Sequence, residues 1–409
     1  MEYTIHTLSN NIRILHKQVT NTKIVHCGFM LDIGSRDESA DEQGIAHFWE
    51  HMAFKGTKKR KAFHILNRME SVGGELNAYT TKEKIAFYTS VLDVHFQKAV
   101  ELLTDITFNS IFPEKQIDKE RKVILEEMAM YYDSPEDAIQ DEFDGVIYPD
   151  HPLGYNILGT QETVSGFSRE SFLKFVQNHL NSERIVLSIV GNIPVKKAVA
   201  IAEKYLRDLP IFSAPIHRKP AGEYWPESKK IYRSLMQSHC AIGGPAYSLN
   251  HPKRLTFFTL INILGGPGMN SRLNLALREK HGFVYAVDAS YHGYTDTGLF
   301  GIFFATDPRQ LNRSVKLVQK EMKKLREVPL GSVQLQSAKQ QLKGQLAMAE
   351  ENNASLMLMM AKSILDLNRV DSLEEIFDEI RNITASDLMD IANEIFAPAQ
   401  LSELIFLPE

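Results

Sequence analysis

The sequence predicts an α+β protein of two homologous domains, each a mainly antiparallel β-sheet with helices packed on one face. Three observations predict this fold: a proline-rich segment near the middle of the 409-residue chain, sequence matches between the halves, and strand–turn–strand patterns in each half. The length fits two or three domains. Hydrophobic residues at 44% and charged residues at 24% exclude a disordered or fibrous chain.

The proline-rich segment is LPIFSAPIHRKPAGEYWPES, at 209–228, which has four prolines and little periodicity. Segments of this composition usually connect domains. We therefore predict a first domain over 1–212, a linker over 213–226 and a second domain over 227–409. Each half is long enough for its own core.

The two halves also resemble each other. VHCGFMLDIGSRDE at 25–38 and SHCAIGGPAYSLNH at 238–251 share a His-Cys pair 213 positions apart. VGGELNAYT at 72–80 and KHGFVYAVD at 280–288 match at a slightly different offset, as a turn glycine followed by a strand. We interpret these matches as a duplicated fold, with chance similarity of short segments as the alternative.

The strand patterns decide between two kinds of sheet. Strands separated by long helices would also fit a parallel sheet. However, FYTSVL at 87–92 follows a short charged turn, and 282–308 contains two alternating segments around a Gly/Asp turn. Both patterns favour β-hairpins, and therefore antiparallel sheets with segregated helices. We interpret the run LMLMM at 356–360 as the packing surface of a helix.

Several classes of function lack support in the composition. A net charge of -5 gives no sign of the basic surface that nucleic-acid binding requires. No secretory signal is visible at the N-terminus, and no stretch approaches the roughly 18 apolar residues that span a bilayer. We interpret Cys27 and Cys240 as buried free thiols in a reducing compartment, with a single disulfide as the alternative. We therefore expect a cytoplasmic protein that binds neither membrane nor nucleic acid.

The segment GIAHFWEHMAFKGT, at 44–57, contains a pattern typical of a metal site. On a helix, His47 and His51 project from one face and can bind the same ion. Glu50 lies on the same side, close enough to contact a metal-bound water as a general base. This HxxEH order reverses the zincin HExxH pattern. The alternative is a surface helix with two unrelated histidines.

A catalytic zinc site needs a third protein ligand. The segment 118–132 has a helical pattern, and its Glu120 and Glu127 share a face about 10 Å apart along the helix axis. One can bind zinc, and the other can accept a hydrogen bond from a ligating imidazole. Glu126 points about 100° away, toward solvent. Spacing alone leaves simple surface exposure as the alternative for each glutamate.

Together these motifs resemble the pitrilysin/insulinase family of inverted-motif zinc peptidases, and most closely its mitochondrial-processing-peptidase-like subgroup. The resemblance covers nearly the whole chain in seven ordered segments: GSRDE, GIAHFWEHMAFKGT, GGELNAYTTKE, ERKVILEEM, HPLGYNILGT, LGGPGMNSRL and LREKHGFVYAV. It implies that His47, His51 and Glu127 bind one Zn²⁺ per chain. It also implies that Glu50 is the general base and that Glu120 supports a ligating histidine.

The second half has a different expected role. At the 213-residue offset, HFWEH is replaced by LINIL at 260–264, which has no group that binds zinc. The resemblance implies that Arg278 and Tyr285 bind the substrate backbone and the region of the scissile carbonyl. Their donors suit a developing oxyanion. The alternatives are a surface salt bridge for Arg278 and an aromatic side chain on a strand face for Tyr285.

The resemblance also suggests how a substrate binds. LNAYT at 76–80 resembles the family's edge strand, to which an extended peptide adds through main-chain hydrogen bonds, so Asn77 and Ala78 are expected to bind substrate. Asp137 and Asp141 match acidic positions that, in mitochondrial processing peptidases, look toward an arginine near the cut site. They predict a preference for Arg or Lys before the cleaved bond. Alternatively, Asp137 only stabilises a helix start.

The expected function is therefore that of a zinc metalloendopeptidase, which hydrolyses extended peptides or unfolded polypeptides in a closed chamber. In this family a chamber contains four such domains. The present chain has two, so a homodimer is expected, with a different partner chain as the alternative. A non-catalytic structural subunit of the same fold would lack a ligand or the base, and none is missing here.

Overall fold

The computed structural model describes residues 3–409, which form two compact units with one β-sheet each. Unit 1 contains the residues up to Met128, Tyr155–Arg218 and Met348–Val370. Unit 2 contains Ala129–Gly154, Lys219–Ala347 and Asp371–Glu409. The boundary after Arg218 lies inside the segment 213–226, which we predicted to be a linker. Each unit also includes one segment from the other half of the chain, so the units differ there from the continuous domains 1–212 and 227–409.

The sheet of unit 1 has six strands within the described residues: β1 (Thr4–Thr7), β2 (Arg13–Gln18), β3 (Ile24–Leu31), β4 (Glu75–Thr80), β5 (Ile85–Leu92) and β6 (Ile185–Gly191). Their order is β1-β2-β6-β3-β5-β4. Only β2 and β6 pair in parallel; the other neighbours are antiparallel. β4 and β5 form the predicted hairpin, which leaves β4 at an edge of the sheet.

The sheet of unit 2 has five strands in the described chain: β7 (Ser228–Arg233), β8 (Ser238–Ala246), β9 (Val284–Gly293), β10 (Gly298–Thr306) and β11 (Ser402–Pro408). Their order is β7-β11-β8-β10-β9, and only β7 and β11 are parallel. β9 and β10 form the second predicted hairpin, with β9 at an edge. The prediction of two mainly antiparallel sheets with helices is confirmed.

The helices follow the amphipathic patterns of the sequence. Within residues 3–409 the α-helices are α1 (Ile45–Ala53), α2 (Ala62–Glu70), α3 (Phe96–Phe108), α4 (Glu114–Asp133), α5 (Pro135–Ile147), α6 (Gln161–Gly166), α7 (Arg169–His179), α8 (Val195–Leu206), α9 (Arg254–Gly265), α10 (Leu311–Glu327), α11 (Ser332–Glu351), α12 (Asn353–Leu367), α13 (Leu373–Asn382) and α14 (Ala385–Ile395). A short π-helix covers Asn274–Glu279. No helix in this range combines the length and apolarity needed to cross a membrane.

The sheet of unit 1 is packed on both faces, so the prediction that helices cover only one face of each sheet is wrong here. One face lies against α1, α3 and α8 in the main core. The other face lies against α12, whose Met357 and Met360 are buried against Met30 and Val186. The run LMLMM is therefore a packing surface, as we predicted. Because α12 comes from the second half of the sequence, the first half alone does not contain every element of unit 1.

The sheet of unit 2 is packed in the same way. Helix α5, from the first half of the chain, covers one face, where Ile139 and Phe143 pack near Leu404 and Phe406. Helices α9 and α14 lie against the other face. The cysteines, Cys27 in unit 1 and Cys240 in unit 2, are free and fully buried, so the alternative of a disulfide is wrong.

Candidate metal centre

Helix α1 carries the HxxEH motif and presents it on the one side that is not packed into the core. Six of its nine residues are apolar and fully buried: Ile45, Ala46, Phe48, Trp49, Met52 and Ala53. This packing fixes the rotation of the helix about its own axis. The three remaining positions are His47, Glu50 and His51, which share the opposite face; His47 is buried there, and Glu50 and His51 are half-buried.

The N-terminus of α1 is held by a buried carboxylate from the GSRDE segment. Glu38 accepts hydrogen bonds from the backbone N–H groups of Gly44 and Ala46, at 2.9 Å and 2.8 Å. Burial raises the pKa of Glu38 well above its ordinary value, although these two donors oppose that shift. Gly44 has a φ of 92°, and a Cβ there would lie 2.4 Å from the carbonyl oxygen of Leu158, so this position requires glycine.

The three predicted ligands come together at this face of α1. One ligand atom from each of His47, His51 and Glu127 lies within 4.8 Å of the others. Nε2 of His47 is 3.8 Å from Oε1 of Glu127, and Nε2 of His51 is 3.6 Å from Oε2 of Glu127. These atoms are too far apart for direct hydrogen bonds. Tetrahedral zinc with ligands at about 2.1 Å would separate them by about 3.4 Å, so the group fits this metal.

The protonation of the ligands also suits a metal. Burial, together with the neighbouring His51, lowers the pKa of His47 to about 3. His47 is therefore a neutral imidazole, the form that binds metals. Its Nδ1 is buried and has no hydrogen-bond partner within residues 3–409, whereas its Nε2 faces Glu127. Burial also raises the pKa of Glu127 in the absence of an ion.

Glu120 lies next to His51, the place that the family resemblance implied for it. Its Oε2 is 3.3 Å from Nδ1 of His51, and its Oε1 is 2.8 Å from Nζ of Lys55. Burial favours protonation of Glu120, but hydrogen bonds from His51 and Lys55 hold its pKa below the ordinary value. Lys55 follows His51 by four residues, but its contact with Glu120 was not predicted from the sequence.

Glu50 is held by a residue that we did not predict. The hydroxyl Oγ1 of Thr80, the last residue of β4, donates a hydrogen bond of 2.6 Å to Oε2 of Glu50. Burial raises the pKa of Glu50, and the bond from Thr80 only partly opposes this shift. The contact follows from the packing of α1 against β4, which no local pattern in the sequence specifies.

The predicted substrate-binding residues of unit 1 lie on an edge strand. Asn77 is exposed and Ala78 is half-buried in β4, which pairs only with β5 within the described residues. The backbone of β4 is therefore available along its other side. The substrate-binding role of Asn77 and Ala78 stays a prediction.

In unit 2, Arg278 and Tyr285 lie next to each other. Arg278 belongs to the π-helix Asn274–Glu279, and Tyr285 belongs to the edge strand β9, where 87% of its surface is exposed. The guanidinium carbon of Arg278 is 5.6 Å from the centroid of the Tyr285 ring, within range of a cation–π contact. Their role in substrate binding stays a prediction.

The acidic pair also belongs to unit 2. Asp137 and Asp141 lie one turn apart on α5. Asp137 accepts a hydrogen bond of 2.6 Å from Oγ of Ser134, the residue just before the helix. This contact fits the interpretation of Asp137 as a helix-start residue, while the predicted specificity role of both residues is untested.

Comparison with known proteins identifies the family. Residues 13–161 match the family model described as Insulinase (Peptidase family M16), and residues 166–342 match the Peptidase M16 inactive domain. An uncharacterized zinc protease of Rickettsia bellii is 36% identical over 98% of this chain and 97% of its own length. The uncharacterized zinc protease YmxG of Bacillus subtilis is 32% identical over 96% and 95%. The chain belongs to the M16 peptidase family.

Solved structures show the same M16 fold. A Pseudomonas fluorescens structure described as a peptidase M16 inactive domain matches with a TM-score of 0.92 and 18% identity, over 100% of this chain and 99% of that chain. A protease from Helicobacter pylori matches with a TM-score of 0.89 and 19% identity, over the same shares. The predicted pitrilysin/insulinase membership is confirmed, whereas the mitochondrial-processing-peptidase-like subgroup stays a prediction.

The contact between Glu120 and His51 leads to a test of metal affinity. Glu120→Gln is expected to weaken zinc binding about 10- to 100-fold, because the amide loses the charge that orients His51 and pairs with Lys55. Competition with a chromophoric chelator, on protein first stripped of metal, measures the change. Glu126→Gln is the matched control, since Glu126 is exposed on the same helix. Equal zinc affinity for the two variants would contradict this role of Glu120.

Proposed function

We propose that this M16 family member is a zinc-dependent metalloendopeptidase that hydrolyses extended peptides or unfolded polypeptides. The observation that carries the proposal is the convergence of His47, His51 and Glu127 beside Glu50, all within unit 1. Relatives at 36% and 32% identity are named zinc proteases, which supports zinc as the metal. The closed chamber that the family resemblance implies is part of the same proposal.

The proposed chemistry assigns a proton-transfer role to Glu50. His47, His51 and Glu127 would hold the zinc ion, which would supply a Lewis acid and make water in the site easier to deprotonate. The Glu50 carboxylate accepts the proton of the attacking water and then delivers it to the leaving amine nitrogen. Its half-buried position suits this role, because burial favours the protonated form that Glu50 must hold between the two transfers.

Substrate binding is proposed at two edge strands. In unit 1, an extended peptide would add to β4 through main-chain hydrogen bonds alongside Asn77 and Ala78. The free side of β4, and the hydrogen bond that joins its last residue to Glu50, support this placement. In unit 2, we propose that Arg278 and Tyr285 bind the substrate backbone and the region of the scissile carbonyl, for which their donors are suited.

A second candidate function is that of a non-catalytic structural or partner subunit of the same fold. Such a subunit does not need the complete set of ligands and base, and this chain has all four groups in one place. The M16 inactive-domain match begins at residue 166, after the metal-binding residues. The geometry of unit 1 therefore favours the peptidase.

Metal removal and loss of the base test the two functions together. Exhaustive chelation is expected to abolish cleavage of unstructured fluorogenic peptides, and Zn²⁺ is expected to restore it. Glu50→Gln is expected to retain zinc but to lower kcat about 10²- to 10⁴-fold, since general-base catalysis is lost. Glu126→Gln again serves as the control. Activity that survives confirmed metal loss would refute the zinc peptidase, and zinc binding without base-dependent turnover would favour the partner subunit.

The assembly and location are proposed from the sequence analysis. The proposed zinc ligands and the Arg278–Tyr285 pair occur in one chain, so we propose that a homodimer suffices for activity. We propose a reducing, cytoplasmic location because both cysteines are free thiols. We expect light scattering to show a dimer, and specific activity to fall on dilution if association is weak. A fully active monomer of 46.5 kDa at every concentration would exclude the dimer, and cell fractionation checks the location.

The acidic pair on α5 provides a test of specificity. We propose that Asp137 and Asp141 favour peptides with Arg or Lys a few residues before the cleaved bond, because two carboxylates can hold one guanidinium. In Asp137→Asn/Asp141→Asn, that preference is expected to disappear from a peptide-library profile. Glu136→Gln, in the same first turn of α5, controls for a change in the helix dipole. An unchanged profile in the double variant would reject the proposal.

A further inference from the structure

Thr80 makes the hydrogen bond that restrains the Glu50 carboxylate. Its Oγ1 lies 2.6 Å from Oε2, and no other hydrogen bond to this carboxylate occurs within residues 3–409. A glutamate side chain has a broad terminal torsion, so an unrestrained carboxylate samples many orientations. The bond from Thr80 fixes one oxygen and leaves Oε1 for proton transfer.

We propose that Thr80 is a positioning residue that holds Glu50 in the orientation required of the general base. This inference rests on the proposed peptidase function and adds to it a residue outside the metal ligands. Thr80 acts through Glu50 and, since it ends the edge strand β4, it also links the base to the strand where a peptide is proposed to bind.

The turn that follows Thr80 is unusually well anchored. Lys82, Glu83 and Lys84 are consecutive charged residues whose exposed fractions are only 7%, 5% and 3%. Lys82 donates from Nζ to the carbonyl oxygen of Tyr155 at 2.6 Å. Lys84 pairs with Asp32 at 2.8 Å. Because buried charges without partners would be costly, these contacts strongly favour a single conformation of the turn.

The pairing of Glu83 connects this turn to the GSRDE segment. Oε1 of Glu83 is 2.6 Å from Nη1 of Arg36. The backbone N–H of Ser35 donates to the carbonyl oxygen of Thr81 at 3.2 Å, and that of Arg36 donates to Lys82 at 2.7 Å. The same segment ends in Glu38, which holds the N-terminus of α1. One short segment therefore fixes both partners of the Thr80–Glu50 bond, which is the kind of support a precise site requires.

Three variants separate a positioning role from a purely structural one. Thr80→Val has nearly the same shape but lacks the hydroxyl, whereas Thr80→Ser keeps it. Thr89→Val is the matched control, since Thr89 lies in the neighbouring strand β5 and its hydroxyl bonds to the backbone of Glu75. We expect Thr80→Val to keep its zinc content and KM while kcat falls about 10- to 100-fold, the range for losing a hydrogen bond to a charged group.

The conservative variants complete the kinetic test. Thr80→Ser is expected to retain kcat within about threefold of the unmodified protein, and Thr89→Val is expected to leave kcat unchanged even if the protein unfolds at a lower temperature. A Thr80→Val protein with unchanged kcat would overturn the proposal. A Thr80→Ser protein as slow as Thr80→Val would also overturn it.

Crystal structures of the zinc-free proteins give a readout that does not depend on activity. Glu50 is expected to keep one conformation in the unmodified protein and in Thr80→Ser, and to adopt others in Thr80→Val; an unchanged Glu50 in Thr80→Val would overturn the proposal. Should Thr80→Val not fold, Thr80→Ala replaces it in both experiments.

If Glu50→Gln retains zinc and full activity, the proposed mechanism fails whatever Thr80 does. If Glu50→Gln is inactive and Thr80→Val is fully active, only the positioning role fails.

Discussion

Helix α1 enters the core of unit 1 at Gly44, where the buried Glu38 carboxylate accepts hydrogen bonds from the first turn. A carboxylate in this place is favoured by the positive end of the helix dipole. Together with the six fully buried apolar residues of α1, it fixes both the position and the rotation of the helix. The orientations of His47, Glu50 and His51 depend on this single placement, because all three project from the same nine-residue helix.

The groups around the candidate centre form two short chains of contacts that start on α1. One runs from His51 through Glu120 to Lys55, and the other runs from Glu50 to Thr80. In each chain a carboxylate, buried in Glu120 and half-buried in Glu50, receives a donor that limits its movement. The first chain orients the proposed metal ligand His51, and the second orients the proposed base. The proposed ligand His51 and the proposed base Glu50 are thus supported by different elements, α4 for His51 and β4 for Glu50.

Residues related by short-range periodicity could be predicted from the sequence, and residues related only by packing could not. The spacing of His47, Glu50 and His51 predicted a shared helix face, and the two sheets followed from the hairpin patterns. Spacing alone did not decide whether Glu120 or Glu127 completes the ligand set, because both lie on one face of α4. Thr80 was missed because its contact depends on how β4 packs beside α1. The sequence also does not show which sheet an amphipathic helix covers, because that depends on packing. The positions of α5 and α12 were therefore not predicted.

The placement of α12 has a consequence for synthesis on the ribosome. The chain emerges from its N-terminus, and the strands of unit 1 and helix α1 are complete once residue 206 has been made. The apolar face formed by residues such as Met30, Ala86 and Val186 then has no cover until Asn353–Leu367 follows, more than 140 residues later. At a translation rate of about 5–20 residues per second, that face stays open for roughly seven to thirty seconds. During this interval the nascent chain exposes an apolar surface of the kind that molecular chaperones bind.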